Sequence, residues 1–226
     1  MDLELEGRVI LVVGGHGLIG RAVVQRLRTE GAVAIPASRH APHGVVVDAS
    51  SDQSVSRGLA AVEAEHGPLD GLVVTAAPSA RTLDPTRNAD PAQVLRAVDE
   101  KAMTFLRTAN FALPGMVARG FGRVIGVSGQ NAFMTGNIAG SVRNAALIVA
   151  AKNLADSTAG TGVTVNSVSP SMVSESPPSE VENGLSGGCR PSDVADLIAF
   201  LLSPRAGAVS GESIAVGHRV RGVTYL

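Results

Sequence analysis

The chain has 226 residues, 45% of them hydrophobic and 17% charged, with a net charge of −1. That length supports one domain with a substantial core, and that composition excludes a disordered chain. With no basic stretch and no apolar run near the ~20 residues of a membrane span, neither nucleic acid nor a membrane is an expected partner. The lone cysteine, Cys189, excludes an internal disulfide and fits a reducing compartment. The opening MDLELEGRVI is acidic where a secretory leader is basic, so a cytoplasmic setting is expected.

Apolar β-branched runs alternate with helical stretches. Residues 8–13 (RVILVV) form a continuous apolar run ending at glycines, which reads as a buried parallel strand. Residues 21–29 place Ala22, Val23, Val24 and Leu27 at helical spacing, and Gly31 stops the helix. Strands are expected at 32–36 and 45–47, a helix at 51–66, and a strand at 71–75 (GLVVT). A long helix over about 91–119, interrupted before Pro114, leads to a strand at 123–128 (RVIGVS). An Ala-rich helix at 141–158, a strand at 163–168, a helix at 191–202 and a last strand at 212–216 complete the pattern. The last helix carries Pro191 at its start and Asp193 in its first turn.

Alternation of this kind throughout predicts an α/β chain: one Rossmann domain over residues 1–226, a doubly wound parallel sheet with helices on both faces. Ligands of such a sheet sit beyond the carboxyl ends of its strands.

Gly14-x-x-Gly17-x-x-Gly20 follows the first strand and opens the first helix. Glycines so placed permit a tight turn, let backbone approach a pyrophosphate and let the helix pack on the sheet. The whole turn, Gly14, Gly15, His16, Gly17, Leu18, Ile19 and Gly20, is therefore a candidate dinucleotide cradle. His16 either touches the cofactor or is a part-exposed turn residue. NAD sites carry an acid at the end of the second strand. Here Ser38 and Arg39 stand instead, a hydroxyl and a guanidinium suited to a 2′-phosphate, so NADP(H) is the expected cofactor. Asp48 and Ala49, after the third strand, are placed to meet an adenine edge.

With these residues the chain resembles the short-chain dehydrogenase/reductase family. Asp48-Ala49 is similar to its adenine-contacting pair, and Asp70-Gly71-Leu72-Val73-Val74-Thr75-Ala76-Ala77 to its D-x-L-V-N-N-A-G strand. Gly122-Arg123-Val124-Ile125-Gly126-Val127-Ser128 resembles G-R-I-V-x-I-S, and Asn166-Ser167-Val168-Ser169-Pro170-Ser171 resembles N-x-V-x-P-G. Arg190-Pro191-Ser192-Asp193-Val194-Ala195 is similar to R-P-x-D-V-A, and Ser210-Gly211-Glu212 to T-G-x. The resemblance implies that Ala76, Ala77, Pro170, Ser171 and Val173 also touch the cofactor. It implies a small-molecule carbonyl or alcohol substrate, and a homodimer or homotetramer packed through long helices such as the Ala-rich 145–155 face. Residues 171–190 are Ser-, Pro- and Gly-rich, which predicts a short flexible substrate flap.

Family members use a Tyr as acid/base, a Lys one turn later, a Ser on the preceding strand and an Asn on the preceding long helix. Alignment on the Ala-rich helix puts Gly140 at the Tyr position and Asn144 at the Lys position. Glycine has no side chain to donate a proton, and asparagine brings no charge. The single tyrosine, Tyr225, is remote in sequence and a weak substitute. Ser128 falls near the expected Ser, with Gln130 and Asn131 following, and Lys101 falls at the Asn position. The catalytic candidates are thus Ser128, Lys101 and Asn144, and no metal site is expected. Lys101 is read either as a cation aimed at the site or as a solvated helix lysine. Ser128 is read either as a carbonyl-polarising group or as a strand-end hydroxyl bonded to backbone.

The ending Val168-Ser169-Pro170-Ser171-Met172-Val173-Ser174-Glu175-Ser176 resembles a small subgroup of the family that replaces Tyr and Lys by small residues and Asn. Atypical ketoreductases without that pair are also similar; in them a phenolic polyketide substrate can supply its own proton. The first expectation is an NADPH-dependent carbonyl reductase. A non-catalytic NADP(H) sensor or partner subunit, and a non-redox dehydratase or cyclase, are the alternatives, because fold does not fix chemistry.

Overall fold

The computed structural model describes residues 1–78 and 82–224, so Tyr225 lies outside the described residues. The first strand, β1 (Val9–Val13), is buried at every position. Its side chains alternate between two cores: Val9, Leu11 and Val13 enter one, Ile10 and Val12 the other. A strand so filled on both faces belongs in the middle of a three-layer stack.

Along the chain follow α1 (Leu18–Thr29), β2 (Val33–Ser38), β3 (Val45–Val46), α2 (Asp52–His66), β4 (Gly71–Val74) and α3 (Pro91–Val98). A single π turn (Asp99–Met103) joins α3 to α4 (Thr104–Arg119). Then come β5 (Gly122–Val127), α5 (Ile138–Ser157), β6 (Val163–Pro170), β7 (Met172–Val173), β8 (Gly188–Cys189), α6 (Pro191–Leu202) and β9 (Ser213–Val216). The main sheet has seven parallel strands in the order β3-β2-β1-β4-β5-β6-β9. The order reverses between β1 and β4, which opens a crevice at the carboxyl ends of those strands. This is the doubly wound Rossmann sheet the sequence predicts.

The helices α1 and α6 cover one face with Val23, Val24, Leu27, Val194 and Ile198. The other face is covered by α2, α4 and α5 through Val55, Leu59, Phe105, Met116 and Leu147. Each such fully buried side chain contributes roughly 1.5–3 kcal/mol. Pro191 opens α6, and the Asp193 carboxylate accepts from the Arg190 amide at 2.7 Å. At the amino ends of the strands, buried Arg123 donates to the carbonyls of Ser203 (3.2 Å), Gly122 (2.9 Å) and Gly162 (2.9 Å). Its guanidinium also lies 4.5 Å from the centre of the Phe121 ring.

Two expectations change. The long helix is not interrupted before Pro114, which sits inside α4. Pro114 and Asn110 are both exposed, so the Asn110 carbonyl that loses its intrahelical donor is open to water. The irregularity lies earlier, at the π turn, where one inserted residue redirects the helix. The Ala-rich helix also starts early, at Ile138, because the Asn137 side chain caps it by accepting from the Gly140 amide at 2.8 Å. In the 171–190 segment, β7 and β8 pair in parallel, and the Gly187 amide donates to the His218 carbonyl at 2.9 Å.

Candidate functional site

The carboxyl ends of the strands bring most of the candidates to one edge. Gly14 follows β1, Ser38 ends β2, Thr75 and Ala76 follow β4, Ser128 follows β5 and Pro170 ends β6. Gly14 has φ +86°, and a Cβ there would lie 2.5 Å from Thr75 Oγ1 and 2.6 Å from the Ala76 amide. A Cβ on Gly20 would lie 2.1 Å from the Gly14 carbonyl oxygen. Only glycine lets the turn close and α1 pack against it. Gly17 caps α1 with no side chain, and no acid stands in the first turn. The positive end of the helix is left for an anion.

A cleft of about 310 Å³ runs from Gly14 past Ser38, Arg39, Asp48 and Ala49 to Ala76 and Ala77. Pro78, Asp99, Glu100 and Thr104 also line it. The Asp48 carboxyl is held below the usual carboxylate range by the hydroxyl and amide of Ser50, with Arg39 adding to the effect. Arg39 itself is exposed. Ser38 Oγ lies 3.0 Å from His16 Nδ1, and the His16 ring meets His43 edge-on at 4.8 Å. Gly15 and His16 also line a second cleft, about 450 Å³, on the outer side of α1. His16 Nε2 is buried with no hydrogen-bond partner among the described residues. Leu18 is exposed and Ile19 half-buried at the start of α1.

Beyond β6 the picture differs. Pro170 is buried at the strand end, but Ser171 Oγ faces Cys189 Sγ at 3.7 Å and its amide donates to the Val216 carbonyl. Val173, in β7, packs on the α1/α6 core. The 310 Å³ cleft takes no wall from these three residues.

The catalytic candidates do converge. Lys101, on the π turn, is only 7% exposed, and its Nζ donates to the Ser128 carbonyl at 3.1 Å. It is a buried cation and not a solvated helix lysine. Burial first, and then repulsion by Arg143, pull its pKa down from 10.5 to about 7. The Ser128 hydroxyl donates to the Asn144 carbonyl at 3.0 Å, so its proton is committed to helix backbone. Asn144 is buried, and its Oδ1 has no partner among the described residues. Gln130, on a 3-10 turn after Ser128, donates to the Val216 carbonyl at 3.2 Å, and its Oε1 has no partner among the described residues. Gly140 lies in the first turn of α5, where a Cβ would lie 2.7 Å from the Asn137 side-chain amide.

Sequence reasoning missed Arg143. It is 4% exposed, donates from Nη1 to the Pro78 carbonyl at 3.2 Å, and has no partner for Nε among the described residues. Burial lowers its pKa, and Glu100 partly offsets this. Its place next to Asn144 in the chain does not by itself tell whether its side chain turns inward or out to solvent. Among the described residues there is no cluster of three or more His, Cys, Asp or Glu able to hold a metal. No helix there is long and apolar enough to cross a membrane.

Residues 17–218 match the family model described as enoyl-(acyl carrier protein) reductase, and the chain belongs to the short-chain dehydrogenase/reductase family. Among curated relatives, the acetoacetyl-CoA reductase of Rhizobium meliloti is 30% identical over 237 residues, covering 92% of this chain and 95% of the relative. The (2S)-[(R)-hydroxy(phenyl)methyl]succinyl-CoA dehydrogenase subunit BbsC of Thauera aromatica is 29% identical over 240 residues, covering 96% and 95%. In fold, the chain is similar to the ligand-free aldohexose dehydrogenase of Thermoplasma acidophilum, with TM-score 0.83 and 21% identity over the whole of both chains. Family and relatives together mark the chain as an oxidoreductase of this family.

Proposed function

We propose that the chain is an NADPH-dependent reductase of a small carbonyl compound that works without a Tyr/Lys pair. The observation that carries this reading is the Lys101 ammonium, buried on the Ser128 carbonyl at the carboxyl edge of the sheet. The dinucleotide fits the residues present. The turn at Gly14 and Gly20 has no room for side chains, and the start of α1 offers an uncapped positive end. Ser38, His16 and exposed Arg39 gather where β2 ends with no acid, which supports a 2′-phosphate over a free hydroxyl. Asp48, Ala49, Ala76 and Ala77 wall the adenosine part of the cleft.

Bound NADPH supplies a hydride to the carbonyl carbon. The chain must then place a proton on the carbonyl oxygen. Lys101, with a pKa of about 7, holds a transferable proton at neutral pH. Its remaining N–H bonds stabilise a developing alkoxide where water is excluded. Asn144 offers Oδ1 as an acceptor for a ligand hydroxyl. Ser128 positions Lys101 through its carbonyl and braces α5 through its hydroxyl.

The test is NADPH consumption at 340 nm with simple ketones and aromatic polyketide-like ketones. Lys101→Met is expected to lower kcat by about 100-fold or more while leaving NADPH affinity intact. An unchanged kcat removes Lys101 from this role.

A second reading has its own support. The Ser128 proton is committed to backbone, a side chain on Gly140 would displace the Asn137 cap, and one relative is named as a dehydrogenase subunit. In that reading the chain binds NADP(H) and turns over nothing until a catalytic partner is added. In either reading we infer a homo-oligomer contact through α5, a reading that the exposed Ile138, Val142 and Val149 support.

A further inference from the structure

Lys101 and Arg143 are two cations at least nine-tenths buried and close enough to perturb each other. Their recorded partners are both peptide carbonyls, that of Ser128 for Lys101 and that of Pro78 for Arg143. Among the described residues no carboxylate lies within ion-pair distance of either, although nine such pairs form elsewhere. Glu100 is the one acid felt by Arg143, and it acts from longer range. One acid against two cations leaves a buried positive charge uncompensated, and buried charges in proteins are ordinarily paired.

The place of this charge matters. Pro78, whose carbonyl accepts from Arg143, and Glu100, next to Lys101 in the chain, both line the 310 Å³ cleft, so the two cations lie directly behind that stretch of its wall. The Arg143 Nε proton has no acceptor among the described residues, and a guanidinium edge of this kind suits the two oxygens of a carboxylate. Beside it, Asn144 Oδ1 lacks a donor among the described residues, which a hydroxyl would provide.

We propose that the chain recognises the carboxylate of a small oxoacid or its hydroxyacid at the Pro78 and Glu100 wall of this cleft, with Arg143 and Lys101, just behind that wall, as the anion receptor. The inference deepens the reductase reading by naming its substrate class, yet carboxylate binding is measurable without any turnover.

Malonate, which carries carboxylates but no reducible carbonyl, is the binding probe, and its dimethyl ester is the neutral control. Calorimetry on the full chain with NADPH present is expected to show malonate binding and no ester binding. Arg143→Met should weaken malonate by about 30-fold, and Arg143→Lys, which keeps charge but loses the fork, by about tenfold. NADPH affinity should stay within about twofold in both variants. Absence of malonate binding, equal binding of the ester, or unchanged affinity in Arg143→Lys overturns the proposal. An equal loss of NADPH affinity also overturns it, because the anion would then be a cofactor phosphate. If Arg143→Met does not fold, the lysine variant carries the test. Intact malonate binding with no hydride transfer to acetoacetate supports this proposal while sinking the reductase reading.

Discussion

Arg123 and Arg143 are both 4% exposed and stand at opposite ends of the same sheet. At the amino end, Arg123 meets three carbonyls and an aromatic face. At the carboxyl end, Arg143 has one recorded carbonyl partner and an orphaned Nε, with Lys101 repelled beside it. The first arrangement is the more closed, since Nε and Nη1 join β5 to the loops around it, although Arg8 repels it as well. The second is open, and its energy is completed only by something the fold does not contain. Stability argues for the first kind of buried cation, and binding argues for the second.

Substituting both tests that contrast. Arg123→Met strands three carbonyl acceptors, and unfolding free energy should fall by about 3 kcal/mol. Arg143→Met strands one and relieves repulsion with Lys101, so denaturant unfolding should change by no more than about 1 kcal/mol. Equal losses would mean that Arg143 is also a structural clamp.

A slope in pH is the next expected effect. Lys101 has a folded pKa of about 7 against an ordinary 10.5. Between those values the unfolded chain holds a proton that the folded chain has lost, so stability rises with pH across that window. Below about 7 both states are protonated and the contribution becomes flat, with the full penalty present. The wild-type slope should exceed that of Lys101→Met by up to roughly 1.4 kcal/mol per pH unit. In Arg143→Met the onset should move to higher pH, because one cause of the depression is gone. Parallel curves for wild type and Lys101→Met would show that Lys101 is more solvated than its burial implies.

The two ends of the site were unequally legible in the sequence. The turn Gly14–Gly20 works through backbone, and glycine spacing records backbone demands directly. Alternation of apolar runs and helices likewise pointed to a doubly wound parallel sheet, since few topologies satisfy right-handed crossovers. Lys101 was found by counting along the helix, but its burial was not. That burial depends on a π turn, which has no apolar periodicity of its own and shifts every later residue round the helix. Arg143 was invisible for a related reason. Nothing in the run Ser141-Val142-Arg143-Asn144 says whether an arginine on an Ala-rich helix reaches solvent or crosses to the Pro78 carbonyl. Ser171 and Val173 carried a family motif, yet here the 171–190 segment turns their side chains to Cys189 and the core.

Arg39 gives a smaller effect at the legible end. It is exposed, so a 2′-phosphate contact there is partly screened. Arg39→Ala should reduce the preference for NADP(H) over NAD(H) by about tenfold, measured as a ratio of dissociation constants, and more at low salt. An unchanged ratio would shift phosphate recognition to His16 and Ser38.

The smallest effect is expected at Ser128, the residue that the family pattern would rank first. Its hydroxyl proton already lies on the Asn144 carbonyl, and the contact to Lys101 is made by its peptide oxygen. Alanine keeps that peptide oxygen and loses only a hydroxyl bonded to helix backbone. Ser128→Ala should therefore cost about 1 kcal/mol of stability and lower kcat by no more than about threefold. A loss near 100-fold would instead show that the hydroxyl rotates away from Asn144 to reach the substrate. The carboxyl end would then be open at Ser128 as well as at Arg143, and the proton would have two routes to the carbonyl oxygen.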